Sequence, residues 1–160
     1  MIDRRGLLLA AAGAPVRPGD RELIGALLRR ARRLEALYAA GLDEADLTGE
    51  PRHLVATFRN QCADHVDELT FVYVRLGGRP PSDASPAPKP PRRRAFLRLA
   101  ARREAAAVRG CLEALPEIHN ERVRRRLGPI MASHAQHLAL LRELIGDDPI
   151  PFAFEQGRVR

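Results

Sequence analysis

Tryptophan is absent, aromatic residues make up 4% of the chain, and Lys89 is its single lysine. With β-branched and aromatic residues scarce, a sheet protein is disfavoured, whereas abundant Ala, Leu and Arg favour helices. Only two cysteines are present, too few for a disulfide scaffold. No apolar run approaches the ~20 residues that a membrane-spanning helix needs. There is neither a glycine-rich phosphate loop nor a nucleophile elbow. The chain has 160 residues and is 45% hydrophobic, enough for one packed core and too little for two comfortable domains.

The net charge of +7 and pI near 10.8 raise nucleic acid or anionic surfaces as partners. Every cation but Lys89 is arginine, and clusters such as Arg29, Arg30, Arg32, Arg33 and Arg122, Arg124, Arg125, Arg126 fall away from the apolar stripes. No aromatic side chains interleave with them to stack bases. Solvated arginine-rich helix faces are the expectation, with nucleic-acid binding as a minor one whose mark would be steep salt dependence.

The chain opens with Arg4-Arg5-Gly6-Leu7-Leu8-Leu9 and leaves through Ala12-Gly13-Ala14-Pro15. A charged start, a short apolar run and a small-residue exit form a secretory pattern, and the paired arginines resemble a twin-arginine export signal. The apolar stretch is short, and Pro15 stands where it hinders cleavage. Two readings of residues 1–19 therefore stand: an exported protein if residues 1–14 act as a signal, or a cytoplasmic one with a flexible N-terminal arm. A single domain over 20–160 follows, with Asp20 placed to cap the first helix.

Apolar residues recur at steps of three and four through four segments. The first runs from about Asp20 to Leu42 and carries Ile24, Leu28, Ala31, Glu35, Tyr38 and Leu42. The second starts after Pro51, carries Val55, Phe58, Cys62, His65, Leu69, Val72 and Leu76, and stops at Gly77-Gly78. The third runs from about Arg94 to Leu115 through Leu97, Ala101, Glu104, Val108 and Cys111. The fourth carries Leu127, Ile130, His134, His137, Leu141 and Leu144 and ends at Gly146. Rods of matched length predict a four-helix bundle. Short links predict two antiparallel hairpins, whereas residues 77–93 form a Pro-rich tract without apolar periodicity. At ~3.1 Å per residue that tract reaches about 50 Å, enough to travel the whole bundle, whose rods are roughly 30–38 Å long. Two hairpins joined by one long crossover define the expected topology.

Polar residues break all four seams: Glu35, Cys62 with His65, Glu104, and His134 with His137. Each can ligate a metal, and each falls near the middle of its rod. An unpaired carboxylate buried there would cost several kcal/mol, so a metal, mutual pairing or an aqueous cavity should compensate. His65 lies three residues after Cys62, and His137 three after His134, so each pair shares a helix face. Metal binding and a purely structural polar layer both satisfy these residues. A Cys62–Cys111 disulfide is not expected: if Cys62 and Glu104 share a layer, Cys111 lies seven residues, ~10 Å, further along its helix.

These residues also carry a resemblance. Phe58-Arg59-Asn60-Gln61-Cys62-Ala63-Asp64-His65 before Leu69, the Leu76–Pro81 run, Ser133-His134-Ala135-Gln136-His137 before Leu141-Arg142, and Asp148–Phe154 together resemble bacterial ferritin-like proteins of the small, often exported type, over about residues 22–157. The resemblance implies a ferritin-like bundle in which helices two and four each carry Glu-x-x-His and helices one and three each give one Glu. His65 and His137 match the family histidines, and Glu104 matches the helix-three Glu. Cys62 and His134 stand where the family's bridging Glu residues would be. On helix one, either Glu35 or Ala31 occupies the ligand position. The set is softer and less negative than a di-iron centre, which implies a rebuilt or lost di-metal site holding at most one divalent ion, zinc or iron, or otherwise no cofactor. The alternative is a non-catalytic bundle whose buried polar layer sets helix register, acting through a partner or as a homodimer. Catalysis would need an open coordination position, and nothing in the sequence marks one or a substrate.

Overall fold

The computed structural model describes residues 18–80 and 89–149. It contains four helices and, among the described residues, no strand: α1 (Pro18–Glu44), α2 (Gly49–Arg75), α3 (Arg93–Ala114) and α4 (Glu121–Ile145). The expected signal or arm at residues 1–17, residues 81–88 of the expected crossover and the tail beyond Pro149 lie outside the described residues. None of these helices is long and apolar enough to cross a membrane.

The helix ends follow from local chemistry. Asn120 caps α4 through Oδ1, which accepts from the backbone N–H of Arg122 (3.0 Å) and of Val123 (3.3 Å). Gly77, with φ +78°, ends α2 by donating to the Val74 carbonyl while Gly78 donates to that of Tyr73. A side chain there would disfavour the left-handed turn. One expectation fails at the start of α1. Asp20 does not cap it, because the helix begins at Pro18 and already contains Asp20. Its carboxylate is 1% exposed and accepts instead from the backbone N–H groups of His119 and Asn120, both at 3.0 Å. Asp20 thus clamps the α3–α4 turn onto α1, a bond between distant segments that no local pattern encodes.

Most seam residues are buried as the periodicity requires, in two clusters at opposite ends of the bundle. One joins Leu37 and Tyr38 of α1, Val55 and Phe58 of α2, Phe96 and Leu97 of α3, and Leu141 and Ile145 of α4. The other joins Ile24 and Leu28 of α1, Leu69 and Val72 of α2, Cys111 and Ala114 of α3, and Val123 and Leu127 of α4. The starts of α2 and α3 therefore share one pole, so these two helices run parallel. The chain leaves α2 at the opposite pole from the one where α3 begins. Helices α1 and α2, and likewise α3 and α4, are antiparallel and form the most extensive contacts. A backbone bond from the Arg93 N–H to the Ala45 carbonyl (2.8 Å) ties the start of α3 to the end of α1. Close approach also depends on Gly41, where a Cβ would sit 2.2 Å from the fully buried Phe96 ring.

Candidate metal centre

Between the two clusters the seams are polar. Glu104 of α3 is fully buried, and three donors converge on its carboxylate. Oε1 accepts from the Tyr38 hydroxyl (2.6 Å) and from Nδ1 of His137 (2.9 Å), and Oε2 accepts from Nδ1 of His134 (2.6 Å). Burial alone would raise the Glu104 pKa, but the bonds and charges of His134 and His137 outweigh it and hold the carboxyl below its usual range. Glu104 is thus an ionised carboxylate held by charge-assisted bonds. Burial, followed by the charge and hydrogen bond of Glu104, keeps the Tyr38 phenol protonated by raising its pKa well above normal.

His137 is fixed on every side. Phe58 stacks on its ring with centroids 4.2 Å apart, and Nε2 meets Oε1 of Gln61 at 2.5 Å. With Nδ1 donating to Glu104, a neutral His137 ring has a bare Nε2, which Gln61 satisfies once its amide NH2 is turned inward. Ser133 Oγ lies a further 3.4 Å from the same nitrogen.

Of the six residues singled out in the sequence, four come together. Cys62, Glu104, His134 and His137 are all buried, and each offers a ligand atom within 4.8 Å of the others. His65 borders this group, its ring 4.9 Å from that of His134, and its Nδ1 is buried without a hydrogen-bond partner. Glu35 stays half-buried outside the group, although its charge reaches Cys62. Ala31, the other residue at the uncertain helix-one position, is buried and brings no ligand atom. Burial, then the negative charges of Glu104 and Glu35, push the Cys62 thiol far up, so it is a protonated thiol in the metal-free state. Cys111 is free and lies in the other cluster, as the spacing required.

Two participants were missed as site residues. In the sequence Tyr38 stands only as a seam residue, yet a buried phenol needs a polar partner, and that need is a usable signal. Gln61 carries no such signal, because it is exposed and reaches inward from the edge of its helix.

The donor set fits one ion better than two. One thiol, one carboxylate and two imidazoles form a four-ligand set of the borderline softness that zinc accepts. Two divalent ions would bring four positive charges against the single carboxylate of this group. The unpartnered His65 Nδ1 is a further nitrogen beside the group.

The site should also be acid-sensitive. Burial, then the His134 and His137 rings, push the His65 pKa from 6.5 to about 4, against the pull of Glu104. Between those values the unfolded chain binds a proton that the folded chain refuses, so stability falls as pH drops from 6.5 to about 4. Glu104, whose folded pKa is lowered, adds a second loss as pH falls from the ordinary carboxyl value of 4.5 through that lower value. Urea unfolding of chelator-treated protein across this range should show both losses, and His65→Phe should remove the first. A pH-independent midpoint between 6.5 and 4 would contradict the burial of a neutral His65.

A family model for the ferritin-like domain matches residues 30–147, from the first half of α1 to just past α4. The match spans all four converging residues and most of the chain. No curated protein matches it.

Proposed function

The chain belongs to the ferritin-like domain family, and from that membership we propose that its inherited di-metal centre has been rebuilt to bind at most one divalent metal ion. Zinc suits the residues better than a pair of irons. The reading rests on one observation: Cys62, Glu104, His134 and His137 are buried with their ligand atoms within 4.8 Å of one another. His65 stands in reserve beside them, and Glu35 takes no part. Four protein ligands make a closed set, the pattern of a structural ion, so what a metal supplies here is folding free energy. At a free concentration of 100 times Kd that gain is about 2.7 kcal/mol. The chain's own part is to release protons. The Cys62 thiol must ionise, and the Nδ1 protons that His134 and His137 share with Glu104 must be lost or the rings turned. Uptake therefore weakens as pH falls.

A second reading is favoured by the three donors on Glu104. The carboxylate is already satisfied without an ion, so the polar layer could act only to fix helix register. Elemental analysis separates the two. The purified chain, loaded in turn with zinc and with ferrous iron and then desalted, should retain zinc up to about one ion per chain and no iron pair. His137→Ala should remove most of it. Two irons bound to the unmodified chain would overturn the single-ion reading. Absence of metal under every loading condition would leave the structural layer.

A further inference from the structure

A cleft of about 380 Å³ opens between α1 and α3, apart from the residues that converge on Glu104. Four arginines line it, Arg30 and Arg33 from α1 and Arg103 and Arg109 from α3, with Glu113 as the one acid, for a lining charge of four minus one, or +3. Elsewhere on the surface arginines meet carboxylates: Arg125 pairs with Glu121, and Arg126 with Glu68. Among the described residues none of the four cleft arginines forms an ion pair. Unpaired like charges gathered in a concavity raise the local potential for an anion far more than the same charges on a convex face.

One of these arginines reaches across to the neighbouring helix. The Arg30 guanidinium lies directly on the backbone of α3, its Nη1 3.4 Å from the Ala106 carbonyl. A Cβ at Gly110 would sit 1.9 Å from that Nη1. A glycine within a helix costs about 1 kcal/mol relative to alanine. At position 110 it leaves room for the Arg30 guanidinium, with Leu27 Cδ2 also close by. A separate small void of about 10 Å³ is lined by Arg30 together with His134 and apolar residues of all four helices.

We propose that the α1–α3 cleft binds a small phosphate-bearing anion. Guanidinium forks match phosphate oxygens in bidentate geometry, and the volume is that of a small-molecule site. No aromatic side chain lines the cleft, so recognition is by charge and shape and not by stacking on a base. The site is independent of the metal centre, and its occupancy does not require a bound ion.

Calorimetric titration of the full chain with sodium pyrophosphate should give saturable binding of about one anion per chain that weakens with added salt. Arg30→Gln and Arg103→Gln should each weaken it about tenfold or more, because each removes a bidentate partner. Gly110→Ala keeps all four arginines and should still weaken it several-fold by displacing Arg30. Arg122→Gln, an exposed change on α4 outside the cleft, should leave it unaltered. Far-UV circular dichroism checks that each variant is folded. Competition by orthophosphate and by methyl phosphate identifies the source, since stronger displacement by the first marks an inorganic ligand and by the second an organic monoester. Lack of saturable pyrophosphate binding would overturn the proposal. So would an equal loss in Arg122→Gln, or duplex DNA that displaces pyrophosphate and still binds after Arg30→Gln and Arg103→Gln.

Discussion

Glu104→Ala should lower the unfolding free energy of the metal-free protein by about 3–5 kcal/mol, the range for removing one partner of a buried charged network. The carboxylate is 0% exposed and accepts from Tyr38, His134 and His137. Its removal strands three buried donors at once, each worth about 1–3 kcal/mol when left without an acceptor. These losses will not add in full, because the donors share one acceptor and can rearrange together. Glu104→Gln keeps the volume but turns one acceptor oxygen into a donor facing other donors, so it should fall between wild type and alanine. Urea unfolding in the presence of a chelator measures both variants. Repeating it with zinc adds a second readout: the unmodified chain should gain stability and Glu104→Ala should gain none. An alanine variant within about 1 kcal/mol of wild type would remove Glu104 as the organising group of the centre.

The same hub shows what a one-dimensional pattern can carry. Leu28, Val72, Leu97 and Leu141 announce their burial because each recurs in phase with its helix, and the phase alone orients four rods about one axis. Glu104, His134 and His137 are legible for the same reason, as polar residues in apolar phase. Their mutual bonds are not legible. Glu104 lies 66 residues from Tyr38, and His137 lies 76 from Gln61. Nothing local says which seam residues share a level. The Asp20 clamp on His119 and Asn120 is hidden for that reason, since an acid near a helix start has an ordinary local role as a cap. Pro129 shows the converse, that apolar phase can outweigh a local signal. A proline signals a break, yet α4 continues through it, because Leu127 and Ile130 are buried on either side and tertiary packing outweighs one missing backbone bond. The arginine cleft was hidden as well. Arg30 and Arg103 read as solvent-facing one helix at a time, and they become neighbours only when α1 packs on α3.

Placing carboxylates at both altered positions, Cys62→Glu with His134→Glu, should convert the centre toward a di-iron one. The double change recreates Glu-x-x-His on α2 with His65 and on α4 with His137, the pattern that family membership implies. Its first consequence should be destabilisation. Two further carboxylates would stand beside Glu104 in a group less than 5 Å across, each buried and each repelling the others. His134→Glu also removes a donor from Glu104. Metal-free, the variant should lose several kcal/mol and become more stable as acid protonates the surplus carboxylates, the reverse of the parent's trend. Ferrous iron should then rescue it, because about two divalent ions neutralise the added charge and bind only the folded chain. The expected result is iron content rising toward about two per chain, with a higher thermal midpoint on loading. A variant that folds, is acid-stabilised and still takes up no iron would mean that Cys62 and His134 are not what separates this centre from a di-iron site. The missing ligand would then lie on α1, where Ala31 brings no donor and Glu35 stays outside the group.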